Sequence, residues 1–333
     1  YQGGLIAEHL TESRGFEVIP RMLVAFGKDR TTAEVFKEVL GLELADYDRQ
    51  FRAFVEKQVG DYRMVPLWDQ KSLEAFEAKV EAKPDDALAW TRLGWAHLQR
   101  NRGIDAGDKL NRALKLDPAL PEAILLEGRI AELNGRPDLA MGHYARYLET
   151  GEDDFMARIF LAGQASQAGK GGEAIEHLEQ AKRCFPAMVG PQSPHLLLAK
   201  LYTGSGRVAD AVRELEAYAS VAGEDYGVRK KLLDHFAGRD DHERVVKLCG
   251  EMVDISPFGA GRNQPPDLEL HRKYAAALTA LGREAEALRE RQVQVELVSL
   301  LPEEARVDAG AIEDHLALGR LFLKMNRPLD AMS

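Results

Sequence analysis

With 333 residues, 45% of them hydrophobic, the chain has the apolar content for a large core, and ordinary domain sizes divide it into two or three units. A formal charge of -10, with the acidic surplus spread along the chain, removes the electrostatic case for nucleic acid. No apolar run approaches the roughly 18 residues of a bilayer span, so membrane insertion is not expected.

The sequence opens on Tyr1, without methionine and inside what reads as a helix, so it is expected to be cut from a larger protein. Residues 1–60 form helices separated by Gly15, by "FGKDRTT" and by "LGLELADYD". Thr31 or Thr32 should cap the helix "AEVFKEVL", and Asp46 should start the next. Tyr1-Gln2-Gly3-Gly4, an amphipathic helix, "RGFEVIPRMLVAFG", a capped helix, a Gly-Leu turn and "YDRQFRAFV" follow in order. This order resembles the stretch after the zinc site in gluzincin (peptidase MA-like) metallopeptidases, where a Tyr-x-x-Gly motif opens a helix. The resemblance implies that Tyr1 matches the tyrosine that donates a hydrogen bond to the oxyanion formed when zinc-bound water attacks a peptide carbonyl. It also implies a bacterial origin and an extracytoplasmic, periplasmic parent. The sequence departs from the pattern where chemistry is concerned: "AEHLTE" has Glu8 before His9 and no second histidine at HExxH spacing. Residues 1–60 are therefore expected to be a remnant that binds no metal or cofactor and catalyses nothing. On its own residues, Tyr1 is an aromatic at a frayed helix start.

Residues 61–86, through "VPLWDQKS", read as a linker and one extra helix. From 87 to 333 the chain repeats. In "AWTRLGWAHLQRNRGIDAGDKLNRALKLDP", Trp90, Leu93, Gly94 and His97 share a helical face, Asn101 marks a turn, and Ala106, Leu110 and Ala113 form a second helix closed by Pro118. The small residues Gly94 and Ala106 should let the two helices approach closely. The spacing returns at 121–154, 155–188, 192–225, 226–259, where Leu233 fills the small position, and 268–301, whose second helix looks long. A truncated unit runs over 312–333, with Leu318, Gly319, Phe322 and Ala331. The joints "MVGPQS" and "FGAGRNQPPD" read as loops, the latter a spacer rather than a phosphate cradle. This period resembles the tetratricopeptide repeat, with His97 where tyrosine is usual. The expected fold is all-α: a right-handed α-α superhelix preceded by a small helical segment.

A solenoid offers an inner face lined by the first helix of each repeat, where positions 2, 5, 9 and 12 fall together. The ninth position reads Trp95, Arg129, Gly163, Lys200, Asp234, Ala276 and Arg320, and the fifth adds Lys230 and Arg272. Such a groove would take a protein or peptide ligand, possibly acidic. The plainer reading is that solvated faces collect lysine and arginine. The first three repeats lack the clamp that some tetratricopeptide domains use for a terminal Glu-Glu-Val-Asp. Trp95 is either an exposed indole anchor or a residue packed beneath 62–83. Asp234, His235, Asp240, Asp241, His242 and Cys249 read as a solvated turn whose spacing matches no common metal site. Cys184 and Cys249 sit in different repeats and form no disulfide framework. The expectation is a non-catalytic binding scaffold. Its alternatives are the docking arm of an active zinc peptidase whose HExxH lies upstream, or a stack that mainly supports oligomerisation.

Overall fold

In a computed structural model of the chain, described over residues 2–256, 267–299, 301 and 311–324, every regular element is helical. The chain forms two compact units, Tyr1–Pro186 and Ala187–Ser333. Among the described residues no helix is long and apolar enough to cross a membrane.

The first unit opens with α1 (Gln2–Arg14), α2 (Val18–Phe26), α3 (Thr32–Val35) running into a π-helical turn (Phe36–Leu40), and α4 (Leu44–Val59). Thr31 caps α3 with a reciprocal pair: its hydroxyl accepts the Glu34 N–H, and the Glu34 carboxylate accepts the Thr31 N–H at 2.9 Å. The next helix starts at Leu44 rather than at Asp46. Glu43 is its extended N-cap, and Asp46 sits in the first turn, where a carboxylate favours the helix dipole. Leu10, Val18, Met22, Val35, Phe36 and Tyr47 close a small core of their own. Beside it the buried His9 lies against Tyr47, Phe51 and Phe54.

After a non-helical stretch comes α5 (Gln70–Ala82), and then three helix pairs: α6 (Ala87–Leu98) with α7 (Gly103–Leu116), α8 (Pro121–Leu133) with α9 (Pro137–Glu149), and α10 (Phe155–Gln167) with α11 (Gly171–Cys184). The second unit continues with α12 (Pro194–Gly204) and α13 (Val208–Val221), α14 (Tyr226–Ala237) and α15 (His242–Ile255), α16 (Leu268–Ala280) and α17 (Glu284–Ser299), and α18 (Ala311–Lys324). The long second helix expected in the sixth repeat is α17. Pro257, most of "FGAGRNQPPD" and Ala331 lie outside the described residues.

One backbone feature recurs at the same repeat position in both units. Between the paired helices stand Asn101 (φ 59°), Gly135 (φ 67°) and Gly169 (φ 74°) in the first unit, and Gly206 (φ 74°), Asp240 (φ 56°) and Gly282 (φ 73°) in the second. The left-handed residue ends the first helix and turns the chain into the second, and glycine or a short polar residue is what that conformation tolerates. Inside four of the six pairs, Ala106, Ala140, Ala174 and Ala287 are fully buried in the seam. Their partners must be small too. A Cβ on Gly94 would lie 2.9 Å from Leu126 Cδ2 and 3.3 Å from the Ala106 carbonyl oxygen.

Cys184 and Cys249 are free and buried, and burial pushes both thiols up to about 12.

Candidate peptide-binding groove

Residues 62–68, Tyr-Arg-Met-Val-Pro-Leu-Trp, form no helix, yet a chain crossing a protein surface must satisfy its backbone groups. Here the ends of α6, α10 and α11 supply the partners. At one end the Arg63 N–H donates to the Cys184 carbonyl at 2.9 Å, and its own carbonyl accepts the Phe155 N–H at 2.7 Å. The Val65 N–H bonds to the Asp154 carboxylate. At the other end Gln99, the C-cap of α6, donates from Nε2 to the Pro66 carbonyl at 2.8 Å and accepts the Trp68 N–H at Oε1, 3.0 Å away. Arg100 completes the set by donating to the Trp68 carbonyl at 3.1 Å. The segment is a strap held in the groove by its backbone.

Its side chains follow a period of three, the spacing with which an extended polyproline-type chain addresses one surface. Tyr62 packs on Phe185 with ring centroids 4.5 Å apart, Val65 joins the core around Trp95, and Trp68 meets Phe76 edge-on at 5.1 Å. Between them Met64 and Leu67 face outward, Leu67 at 89% exposure. The strap leaves a cleft of about 470 Å³ whose lining includes Arg92, Leu125 and Tyr147 and the carboxylates of Glu122, Asp153 and Asp154. Asp154 is buried at the N-cap of α10, where its Oδ1 accepts the Ala157 N–H at 3.0 Å. Desolvation pushes its carboxyl up to about 6 despite the backbone donors that oppose the shift.

The expected groove residues are placed unevenly. Trp95 is no exposed anchor. It is 8% exposed, its Nε1 reaches the Glu122 carbonyl at 3.4 Å, and the strap covers it, so the packed alternative is the one found. Arg129 pairs at 2.6 Å with Glu132, whose other oxygen accepts the Tyr144 hydroxyl at 2.6 Å. In the second unit Lys230 pairs with Asp267 at 2.6 Å, and Arg272 donates to both oxygens of Asp314 at 3.1 and 2.8 Å. Burial works to raise the Asp267 pKa, but hydrogen bonds from Lys230 and Tyr226 outweigh it and hold the group below its ordinary value. Lys200 and Arg320 are exposed. Arg129, Lys230 and Arg272 thus each have a carboxylate partner within the chain. Tyr1 lies outside the described residues.

The Asp- and His-rich turn is structural. Asp240 fills the left-handed position, Asp241 caps α15 through the Arg244 N–H, Asp234 pairs with Lys273, His235 meets Arg239, and Cys249 is buried in the core. Reading the sequence by repeat position missed Gln99, Arg100 and Asp154, because their partner is a linker outside the period. The only forward signal was Tyr62, Val65 and Trp68 at intervals of three around a proline.

Residues 70–121, which span α5 to α7, match the tetratricopeptide repeat family. The match covers one helix pair and the helix before it. Over 53 residues it is 38% identical to the peroxisomal targeting signal receptor of Candida albicans, a match spanning 16% of this chain and only 9% of the receptor. Among solved structures it is similar to YrrB, described as a tetratricopeptide repeat protein with an unusual peptide-binding site. That likeness has 16% identity, a TM-score of 0.42, and coverage of 63% of this chain and 99% of YrrB. PilF of Pseudomonas aeruginosa is similar at 17% identity and a TM-score of 0.40, over 74% of this chain and 98% of PilF. The tetratricopeptide match begins at α5, so the helix read as an extra one falls within it.

Proposed function

We propose that this chain is a non-catalytic protein-interaction scaffold whose first-helix faces receive extended peptide segments. The observation that carries the reading is the strap, an extended stretch in which the backbone of Arg63, Val65, Pro66 and Trp68 is held on the groove by Gln99, Arg100, Asp154, Phe155 and Cys184. Side-chain amide and guanidinium bonds to a backbone give affinity without demanding one sequence, as suits a binding surface. The local identity with a receptor for a targeting signal supports the same reading. The test is selection of a random-peptide library on the chain and on a form whose residues 62–68 are replaced by a Gly-Ser linker. Ligands weakened by alanine at first-helix residues of either unit are expected; a library that yields none on both forms rejects the scaffold reading.

A second reading rests on the Tyr-x-x-Gly sequence of residues 1–4: the repeats would dock substrate or partner for a zinc peptidase. Zinc content and turnover of a form extended upstream, with and without Tyr1→Phe, decide it.

A further inference from the structure

The strap also says what the groove accepts. We propose that the groove of the first unit binds, in trans, an extended segment of the strap's own chemistry: an aromatic residue, an aliphatic one and an indole at every third position, without acidic residues between them. Residues 62–68 are then its displaceable occupant in cis. The proposal rests on the scaffold reading above and gives it a ligand class.

Three observations carry it. First, the groove recognises the backbone at both ends of the strap, as it would any extended segment. Gln99 takes an acceptor and a donor two residues apart, and Arg63 is held through both its N–H and its carbonyl. Second, the strap is an incomplete occupant. None of Tyr62, Val65 and Trp68 is fully buried, Met64 and Leu67 face solvent, and about 470 Å³ of cleft stays open beside them. A ligand with larger side chains at the inward positions would fill space that the strap leaves. Third, the charge of the lining selects against acid. Glu122, Glu152 and Asp154 outnumber Arg92 and Arg100, Asp153 being already paired with Arg158 at 2.6 Å, and the strap's one charge, Arg63, is bonded through its carbonyl to Phe155, next to Asp154. An acidic peptide would meet like charge here, whereas a basic one is drawn in.

A cis occupant lowers the apparent affinity for a trans ligand by the fraction of time the groove is free. The experiment titrates a fluorescent peptide of residues 62–68 with blocked ends into the full chain, into the form with residues 62–68 replaced by Gly-Ser, and into that form carrying Gln99→Ala. The expected result is binding at least about tenfold tighter to the replaced form than to the unaltered chain, with most of the gain lost in Gln99→Ala. A peptide whose Tyr, Val and Trp are replaced by Asp should not bind. Should the replacement unfold, Val65→Asp ejects the strap by placing a carboxylate in the apolar cluster around Trp95 and leaves the groove residues intact. Failure of the peptide to bind either folded variant overturns the proposal. So does a dimer of the unaltered chain that dissociates on strap replacement, since the groove's occupant would then be a second copy. Library ligands that bind equally well with the strap present would also overturn it while leaving the scaffold reading standing.

Discussion

Gly128 of α8 lies directly beneath the ring of Tyr144 of α9: a Cβ there would sit 2.6 Å from two ring carbons. The ring has no room to retreat, because its hydroxyl is held by Glu132 and its face meets Phe160 edge-on at 5.3 Å. Gly128→Ala should therefore destabilise the first unit by about 1–3 kcal/mol in denaturant unfolding, despite alanine's better helix propensity. The exposed Gly163 of α10 has open space around its Cβ position, so Gly163→Ala should add about 0.5–1 kcal/mol. Equal effects of the two changes would refute the close-approach account.

Asp240 occupies the left-handed turn position where Gly135, Gly169, Gly206 and Gly282 stand in other repeats. A residue with a Cβ pays about 1 kcal/mol for that conformation, partly relieved for Asp. Asp240→Gly is expected to raise the melting temperature of the second unit. A fall would mean that the Asp240 side chain has a role of its own.

These turns mark how far the sequence could be read. Helices start at Ala87, Phe155, Tyr226 and Leu268, where Asp86, Asp154, Asp225 and Asp267 cap the chain, and at Pro121, where proline opens the first turn. Residues that work within the period were legible, Gly94 and Ala106 among them. Charge pairing was less so. Glu132 is one turn from Arg129 and could have been paired with it, but Asp267 and Asp314 come from neighbouring helices. The strap's backbone bonds were not legible, since Arg63 and Cys184 meet only through the stacking of three helix pairs.

Arg229 shows a similar limit. Its repeat position holds Ile124 in the core of another repeat, yet Arg229 is 6% exposed and donates to the carbonyls of Ala219 and Ala222 at 2.9 Å while pairing with Glu251 at 3.0 Å. It thus caps the C-terminal end of α13 from α14. Arg229→Leu should cost about 2–3 kcal/mol by stranding those acceptors, and Arg229→Lys should recover only part. Unchanged unfolding of Arg229→Leu would show that water replaces the guanidinium without loss.

Asp154 gives the first unit a pH dependence. Its carboxyl titrates at about 6 in the folded chain against its ordinary 3.8. The folded state thus holds the proton more tightly, and this contribution to stability is complete below about pH 4 and is lost as pH rises through 6. The shift corresponds to about 3 kcal/mol. Asp154→Asn keeps an acceptor for the Ala157 N–H and removes the titration. The stability difference between variant and unaltered chain should change between pH 4 and 6 and be flat above 7. A difference constant over the whole range would contradict the assignment.

The central claim is that the strap is a ligand lying in a groove rather than part of the core beneath it. Native-state hydrogen exchange at the Arg63, Val65 and Trp68 amides tests this most directly, with the amides of α6 and α8 as the reference. A displaceable strap predicts exchange through a local opening well below the free energy of global unfolding, accelerated by Gln99→Ala while α6 and α8 stay protected. Strap amides that exchange only with global unfolding, at the rate of α6, would contradict the claim.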